Sequence, residues 1–382
     1  MHAVSRRVDP AGPPANPFVG HWWQFERDRV GFITDCHRRY GDTVRLHIIR
    51  PALLIHDPRD VQHVLIERES NYRKADRVLS TAGQRMFARG LLTRDIPAQR
   101  VRRRLVQPQF HRRVMGAFAA LIDDEVGRHL DAWGAESIDL TAEIDRLAER
   151  ILIRALVGDV DEETRARISQ TNRARRRLID DAFGRRFPYP HLLPTRTNWR
   201  YRRASRLQRR ILERLVQSAR VGAVDSRSLL AMMAAHESSE GHRLDNDALV
   251  EEMIELLTAG FETRRETFTW AAWLMARHPE CAARIRAEAD AVVGSGPIEA
   301  DHLPHLAYAE MFLSEVMRLY PAAWIIMRIA QQDDELPSGA AVRAGWKVYL
   351  CPYTSHRNPR YFPDPERFDP GRFASGECES RP

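Results

Sequence analysis

Apolar residues recur every three to four positions over most of this chain, and that spacing predicts a mainly helical protein. Glu26–Tyr40 reads as a short amphipathic helix ended by Gly41-Asp42. Val44–Ile49 and Ala52–His56 break the rhythm, and their alternating or clustered apolar residues predict a hairpin. A helix over Pro58–Arg68 follows. From Gln99 to about Val221 the helical period holds, as in Phe118, Leu121, Ile122, Val126 and Leu130. Pro188, Pro190 and Pro194 interrupt it and place a loop over Phe187–Asn198. Arg200–Arg220 is strongly basic and amphipathic. Such a helix can lie on a membrane surface; packing over an apolar cavity is the preferred reading.

Asp245–Arg277 is the longest helical run. Asp245 or Asn246 can cap it, and Glu251-Glu252 in an early turn suit the helix dipole. Leu249, Met253, Leu256, Leu257, Phe261 and Phe268 give it a broad apolar face. Pro279–Val293 and His305–Leu319 predict two further helices. Beyond Pro321 the texture changes. Ile325–Ile329 and Val342–Leu350 read as short strands around the turn Pro337-Ser338-Gly339, and Tyr353–Phe373 as irregular, tightly packed chain. The expected organisation is an extended leader over 1–17, one domain over 18–373 and a polar tail over 374–382.

Composition narrows the function classes. The 382 residues are 43% hydrophobic and 29% charged, which is globular, and no apolar run is long enough to span a bilayer. No signal-peptide pattern precedes the first helix, so a cytoplasmic, bacterial protein is expected. The net charge is +7, and Lys74 and Lys347 are the only lysines. The arginine clusters read as solvated helix faces rather than a nucleic-acid surface, since no base-reading motif accompanies them. Cys36, Cys281, Cys351 and Cys378 form no CxxC pair, which excludes a disulfide scaffold and a structural zinc site.

Two segments carry candidate chemistry. In Ala259-Gly260-Phe261-Glu262-Thr263 a mid-helix glycine permits close approach of a planar group or small ligand. The threonine hydroxyl can bond back one turn, and the neighbouring carboxylate can relay protons. In Glu315-Val316-Met317-Arg318 the acid and the base lie three apart on one helix face, and Leu319-Tyr320-Pro321 ends that helix abruptly.

The order and spacing of these segments, followed by Phe362-Pro363-Asp364-Pro365-Glu366-Arg367-Phe368-Asp369-Pro370-Gly371-Arg372-Phe373, resemble the cytochrome P450 superfamily from about Pro13 to Phe373. The resemblance implies a single mainly α domain with a small β-rich lobe. It also implies a heme (iron protoporphyrin) cofactor and insertion of one oxygen atom from O2 into an apolar small molecule. Electrons would come from a separate ferredoxin or flavodoxin reductase system. Carried over residue by residue, Glu262 is the proton-relay acid and Thr263 the alcohol that bonds bound dioxygen. Ala259 and Gly260 flank the oxygen site, and Arg103 and Arg328 hold the heme propionates. Leu256, Leu257 and Phe261 suggest an apolar pocket. Glu315, Arg318 and Arg372 (Arg367 being the weaker candidate for the third member) form a structural network.

Departures from the pattern are specific. Arg264 and Arg265 follow Thr263 where the family has small residues, and Gln99 replaces an aromatic or histidine four residues before Arg103. The family's Gly-flanked cysteine loop is not matched. Cys378 follows Gly376 by two residues with no glycine after it, so no residue is assigned to the iron. The fold is therefore expected to be C-terminally truncated. The alternative to the oxygenase is an inactive relative that binds an apolar ligand or a partner without catalysis.

Overall fold

The computed structural model describes residues 10–48, 50–74, 87–94, 96–110, 116–134, 137–184, 195–237 and 241–374. The chain is mainly helical with a small sheet, and it divides into two compact units.

The first unit joins residues 1–76 to 311–382. The expected hairpin is β1 (Thr43–Ile48) against β2 (Arg50–Ile55). Three more strands complete the sheet. They are β3 (Tyr72–Lys74), β4 (Ile326–Ala330) and, after the small hairpin β5 (Asp334–Glu335) and β6 (Ala341–Val342), β7 (Lys347–Leu350). Their order is β1-β2-β7-β4-β3, with β2 and β7 parallel. In β2, Leu53 and Ile55 face one core and Ala52 and Leu54 the other. Burial on both sides explains its unbroken apolar run. The strand expected over Val342–Leu350 is interrupted between β6 and β7, where Gly345 takes φ +80°.

Helices α1 (Trp22–Arg27) and α2 (Arg29–Tyr40) replace the single helix expected over Glu26–Tyr40. Asp28 leaves helical geometry and caps α2 by accepting from Gly31 N at 2.8 Å. Helix α3 (Pro58–Gln62) continues into a π-helical turn over His63–Glu67. The described end of the expected leader runs along β1. Arg45 N donates to Ala11 O at 2.9 Å, and a Cβ on Gly12 would fall 2.0 Å from Arg45 O. Residues 1–9 and 375–382 of the expected leader and tail lie outside the described residues.

The second unit spans residues 77–310. It contains α4 (Ile96–Val106), α5 (Ala117–Asp131), α6 (Leu140–Val157), α7 (Glu162–Gly184) and α8 (Arg196–Arg220). After these come α9 (Leu229–Ala235), α10 (Asn246–Arg277) and α11 (Pro279–Val292). The core sets Leu249, Met253 and Leu257 of α10 among Ile153 of α6, Leu212 of α8 and Leu230 of α9. Asp245 caps α10, accepting from Ala248 N at 2.6 Å. The expected loop 187–198 falls largely on residues outside the description. Its end is helical, because Thr195 caps α8 and accepts from Asn198 N at 3.1 Å. Helix α12 (Ala307–Leu319) crosses the division between the units. Among the described residues no helix is long and apolar enough to cross a membrane.

Candidate active site

Helix α10 sorts its residues by face. Leu257 and Phe261 are buried in the helix-packing core, 0% and 8% exposed. Leu256, Ala259 and Thr263, spaced by three and four, share the opposite face, where Thr263 is exposed. Of the three residues read as pocket-lining, only Leu256 is thus on the threonine's side. Thr263 Oγ1 donates to Ala259 O at 3.1 Å, the back-bond its position predicts.

Glu262 lies on the flank. Its carboxylate is held by Arg176 of α7 at 3.2 Å and by Arg265 at 3.7 Å. Asp145 of α6 faces the same arginines at 3.8 and 3.6 Å, and Arg265 also pairs with Glu266. Burial pushes the Asp145 carboxyl above its ordinary range, with both arginines opposing. One of the two unusual cations after Thr263 is therefore bound into an interhelical ion network. The other, Arg264, folds back along its own helix and donates from Nε to Gly260 O at 2.8 Å. Burial lowers its pKa. A Cβ on Gly260 would meet Arg264 Nη2 and Leu152 Cδ1, both at 3.3 Å, so these side chains take up the room the glycine leaves.

Arg103 projects from α4 and is exposed, while its neighbour Arg102 is buried and pairs with Glu252 at 3.2 Å. Glu252 also belongs to a group that spacing did not reveal. Arg89 N donates to Glu251 at 2.7 Å, Leu91 N to Glu252 at 3.3 Å and Leu92 N to Glu255 at 2.5 Å. Three carboxylates of α10 thus hold the backbone turn that precedes α4. In the sequence Glu251 and Glu252 read only as dipole-compensating acids, and Glu255 carried no reading. Their interval of one and three residues along α10 was the available signal, and it names no partner.

Arg328 sits in β4, opposite Lys74 of β3 and Val348 of β7. It is half-buried, with Nη1 donating to Met327 O at 3.2 Å, and burial lowers its pKa against the pull of Glu69. No ion pair to Arg328 occurs among the described residues.

The expected Glu315–Arg318–Arg372 network is present. Arg318 donates from Nε and Nη2 to the two Glu315 oxygens at 2.6 and 2.8 Å, and from Nη1 to His356 O at 2.8 Å. Asp369 N donates to Glu315 Oε1 at 2.9 Å, and Arg372 Nε lies 3.5 Å from that oxygen. Arg367 joins through its carbonyl, which accepts from Arg318. Glu315 is 0% exposed, so its charge has no water to fall back on.

One feature fits a heme. Arg328 is a half-buried guanidinium whose described side-chain hydrogen bond goes to a carbonyl, and an anionic propionate would satisfy it. No described cysteine fits the iron. Cys36, Cys281 and Cys351 are all buried. Burial pushes the Cys36 thiol up to about 12, and Cys351 Sγ donates to Trp324 O at 3.2 Å. Cys378 lies outside the described residues.

The sequence model of the cytochrome P450 family matches residues 10–382. Cyclooctat-9-en-7-ol 5-monooxygenase of Streptomyces melanosporofaciens is 30% identical over 375 residues, covering 94% of this chain and 78% of the relative. Pentalenene oxygenase of Streptomyces avermitilis is 29% identical over 370 residues, covering 94% and 80%. Among solved structures, retinoic-acid-bound cyanobacterial CYP120A1 shares the fold, with TM-score 0.79 and 20% identity over 98% of this chain and 84% of that one.

Proposed function

Since the chain belongs to the cytochrome P450 family, we propose that it inserts one oxygen atom from O2 into a largely apolar, unsaturated cyclic molecule, with Glu262 and Thr263 serving oxygen activation. Membership makes it a heme-dependent monooxygenase. Bound heme supplies the redox chemistry at dioxygen. The substrate class rests on the two bacterial relatives, whose names specify an alkenol and pentalenene. A separate ferredoxin or flavodoxin reductase system delivers the electrons.

The observation that carries the reading is an exposed Thr263 hydroxyl one turn from Ala259, with Glu262 beside it. The hydroxyl donates a hydrogen bond to Ala259 O at rest. Rotating it toward a ligand oxygen exchanges one hydrogen bond for another, at a net cost of about 1 kcal/mol or less. Glu262 is held by Arg176 and Arg265. To move a proton its carboxylate must first leave Arg176. Arg103 and Arg328 are the residues that would hold the propionates.

The test is Thr263→Ala in a heme-loaded chain extended through a Gly-flanked cysteine loop, with product and hydrogen peroxide measured together. A positioned proton donor is typically worth roughly 10²–10⁴-fold, so product formation should fall by that order while substrate affinity stays close to the parent's. Unchanged rate and coupling would remove Thr263 from the mechanism.

A further inference from the structure

We propose that the solvent face of α8 is a docking surface for anionic phospholipid headgroups, holding the enzyme against a membrane that contains its apolar substrate. Only the final clause rests on the proposed function. The surface itself follows from charge and geometry.

Helix α8 carries nine arginines and one glutamate, an excess of eight positive charges, whereas the whole chain has a net charge of +7. The rest of the molecule is thus close to neutral. Arg196, Arg200, Arg203, Arg206, Arg210 and Arg214 recur at intervals of three and four, and all six are exposed. They form one stripe about 27 Å long at 1.5 Å per residue. None has an acidic partner among the described residues. Arg206 and Arg210 bond only to carbonyls one turn back, of Arg202 and Arg206. On the same helix Arg209 pairs with Glu213, Asp247 and Glu251.

Charge alone would also suit an acidic protein, but stable protein interfaces have cores poor in charge, and this face has one large apolar group. That group, Trp199, is 57% exposed, with Arg203 over its ring at 5.8 Å. Tryptophan beside arginine is the pairing expected at a lipid headgroup layer. Next to it, α7 and α8 enclose an open groove of about 640 Å³, where Arg177, Arg200 and Arg203 stand beside Ala174, Ala204 and Leu207. A phosphodiester could sit on the guanidinium groups and the first part of its tails on the apolar patch. The helix cannot insert, because its apolar face, including Ile211, Leu212 and Val216, is already buried in the core. The contact is peripheral and electrostatic.

The test is cosedimentation of the 382-residue protein with vesicles of phosphatidylglycerol and phosphatidylcholine, against phosphatidylcholine alone, at low and high salt. The readout needs neither heme nor turnover, so it stands apart from the oxygenase assignment. Binding should require phosphatidylglycerol and fall with salt. Each basic residue near an anionic leaflet is worth about fivefold in partitioning, so Arg203→Gln with Arg206→Gln and Arg210→Gln should weaken it about a hundredfold. Circular dichroism should be unchanged, because these side chains make no core contact. Trp199→Phe should remove any lipid-induced blue shift in fluorescence. Equal binding to neutral vesicles, no binding, or a triple variant that binds like the parent would overturn the proposal. So would duplex DNA binding as tightly as the vesicles, which would make the stripe a general polyanion surface.

Discussion

Arg318→Ala isolates the contribution of the buried ion network. The change removes two charge-assisted bonds to Glu315 and the bonds to the carbonyls of His356 and Arg367. It leaves a fully buried carboxylate with only Asp369 N and Arg372 to stabilise it. Breaking one partner of such a pair costs about 3–5 kcal/mol, a large part of the roughly 5–15 kcal/mol that holds a typical protein folded. Unfolding entropy is about 2.1 cal/mol/K per residue, so the melting temperature should drop by about 4–6 °C if all 382 residues unfold together. If the unit built from residues 1–76 and 311–382 unfolds alone, the same cost is spread over about 150 residues, and the drop is about 10–16 °C. Calorimetry gives the shift, and hydrogen exchange at Asp369 N–H reports the network directly. Arg318→Lys should fall between, since a lysine keeps the charge but cannot bridge both oxygens. A melting temperature within about 1 °C of the parent's, with unchanged protection at Asp369, would refute the argument.

Acid should destabilise the first unit through His56. Burial, reinforced by His37 stacked at 4.0 Å, lowers its pKa from 6.5 to about 3. Its contribution is full above pH 6.5 and is lost as the pH falls toward 3, up to about 5 kcal/mol. His56→Asn should flatten the decline of melting temperature with acid, and an unaltered profile would count against it. Gly90→Ala should loosen the turn before α4, because the new Cβ would lie 2.8 Å from Glu255 Cδ. Faster exchange at the amides of Arg89, Leu91 and Leu92 is the expected sign, and unchanged rates would show that the turn accommodates a side chain. The 382-residue protein should give no thiolate-type reduced CO spectrum, since none of its four cysteines lies in a Gly-flanked loop of the family's pattern. A thiolate band abolished by Cys378→Ala would show that prediction wrong.

Local pattern alone determined the longest helices, because a helix satisfies its backbone within itself and its buried stripe repeats every 3.6 residues. Asp245–Arg277, Pro279–Val293 and the basic helix could be placed that way to within a few residues. The resemblance located Thr263, Glu262 and the Glu315–Arg318 pair by motif. Contacts between segments distant in sequence were a different matter. β3 has three residues, too few to show a period, and exists because β4 lies beside it. β2 finds β7 almost three hundred residues away. That Arg102 is buried and Arg103 exposed depends on where Glu252 stands, not on two adjacent arginines. That Glu262 is tied to Arg176, and that Glu251, Glu252 and Glu255 grip a turn some 160 residues earlier, follows from helix packing. A carboxylate's partner is set by what tertiary structure brings within hydrogen-bonding reach, and sequence spacing carries that information only when both partners share one helix.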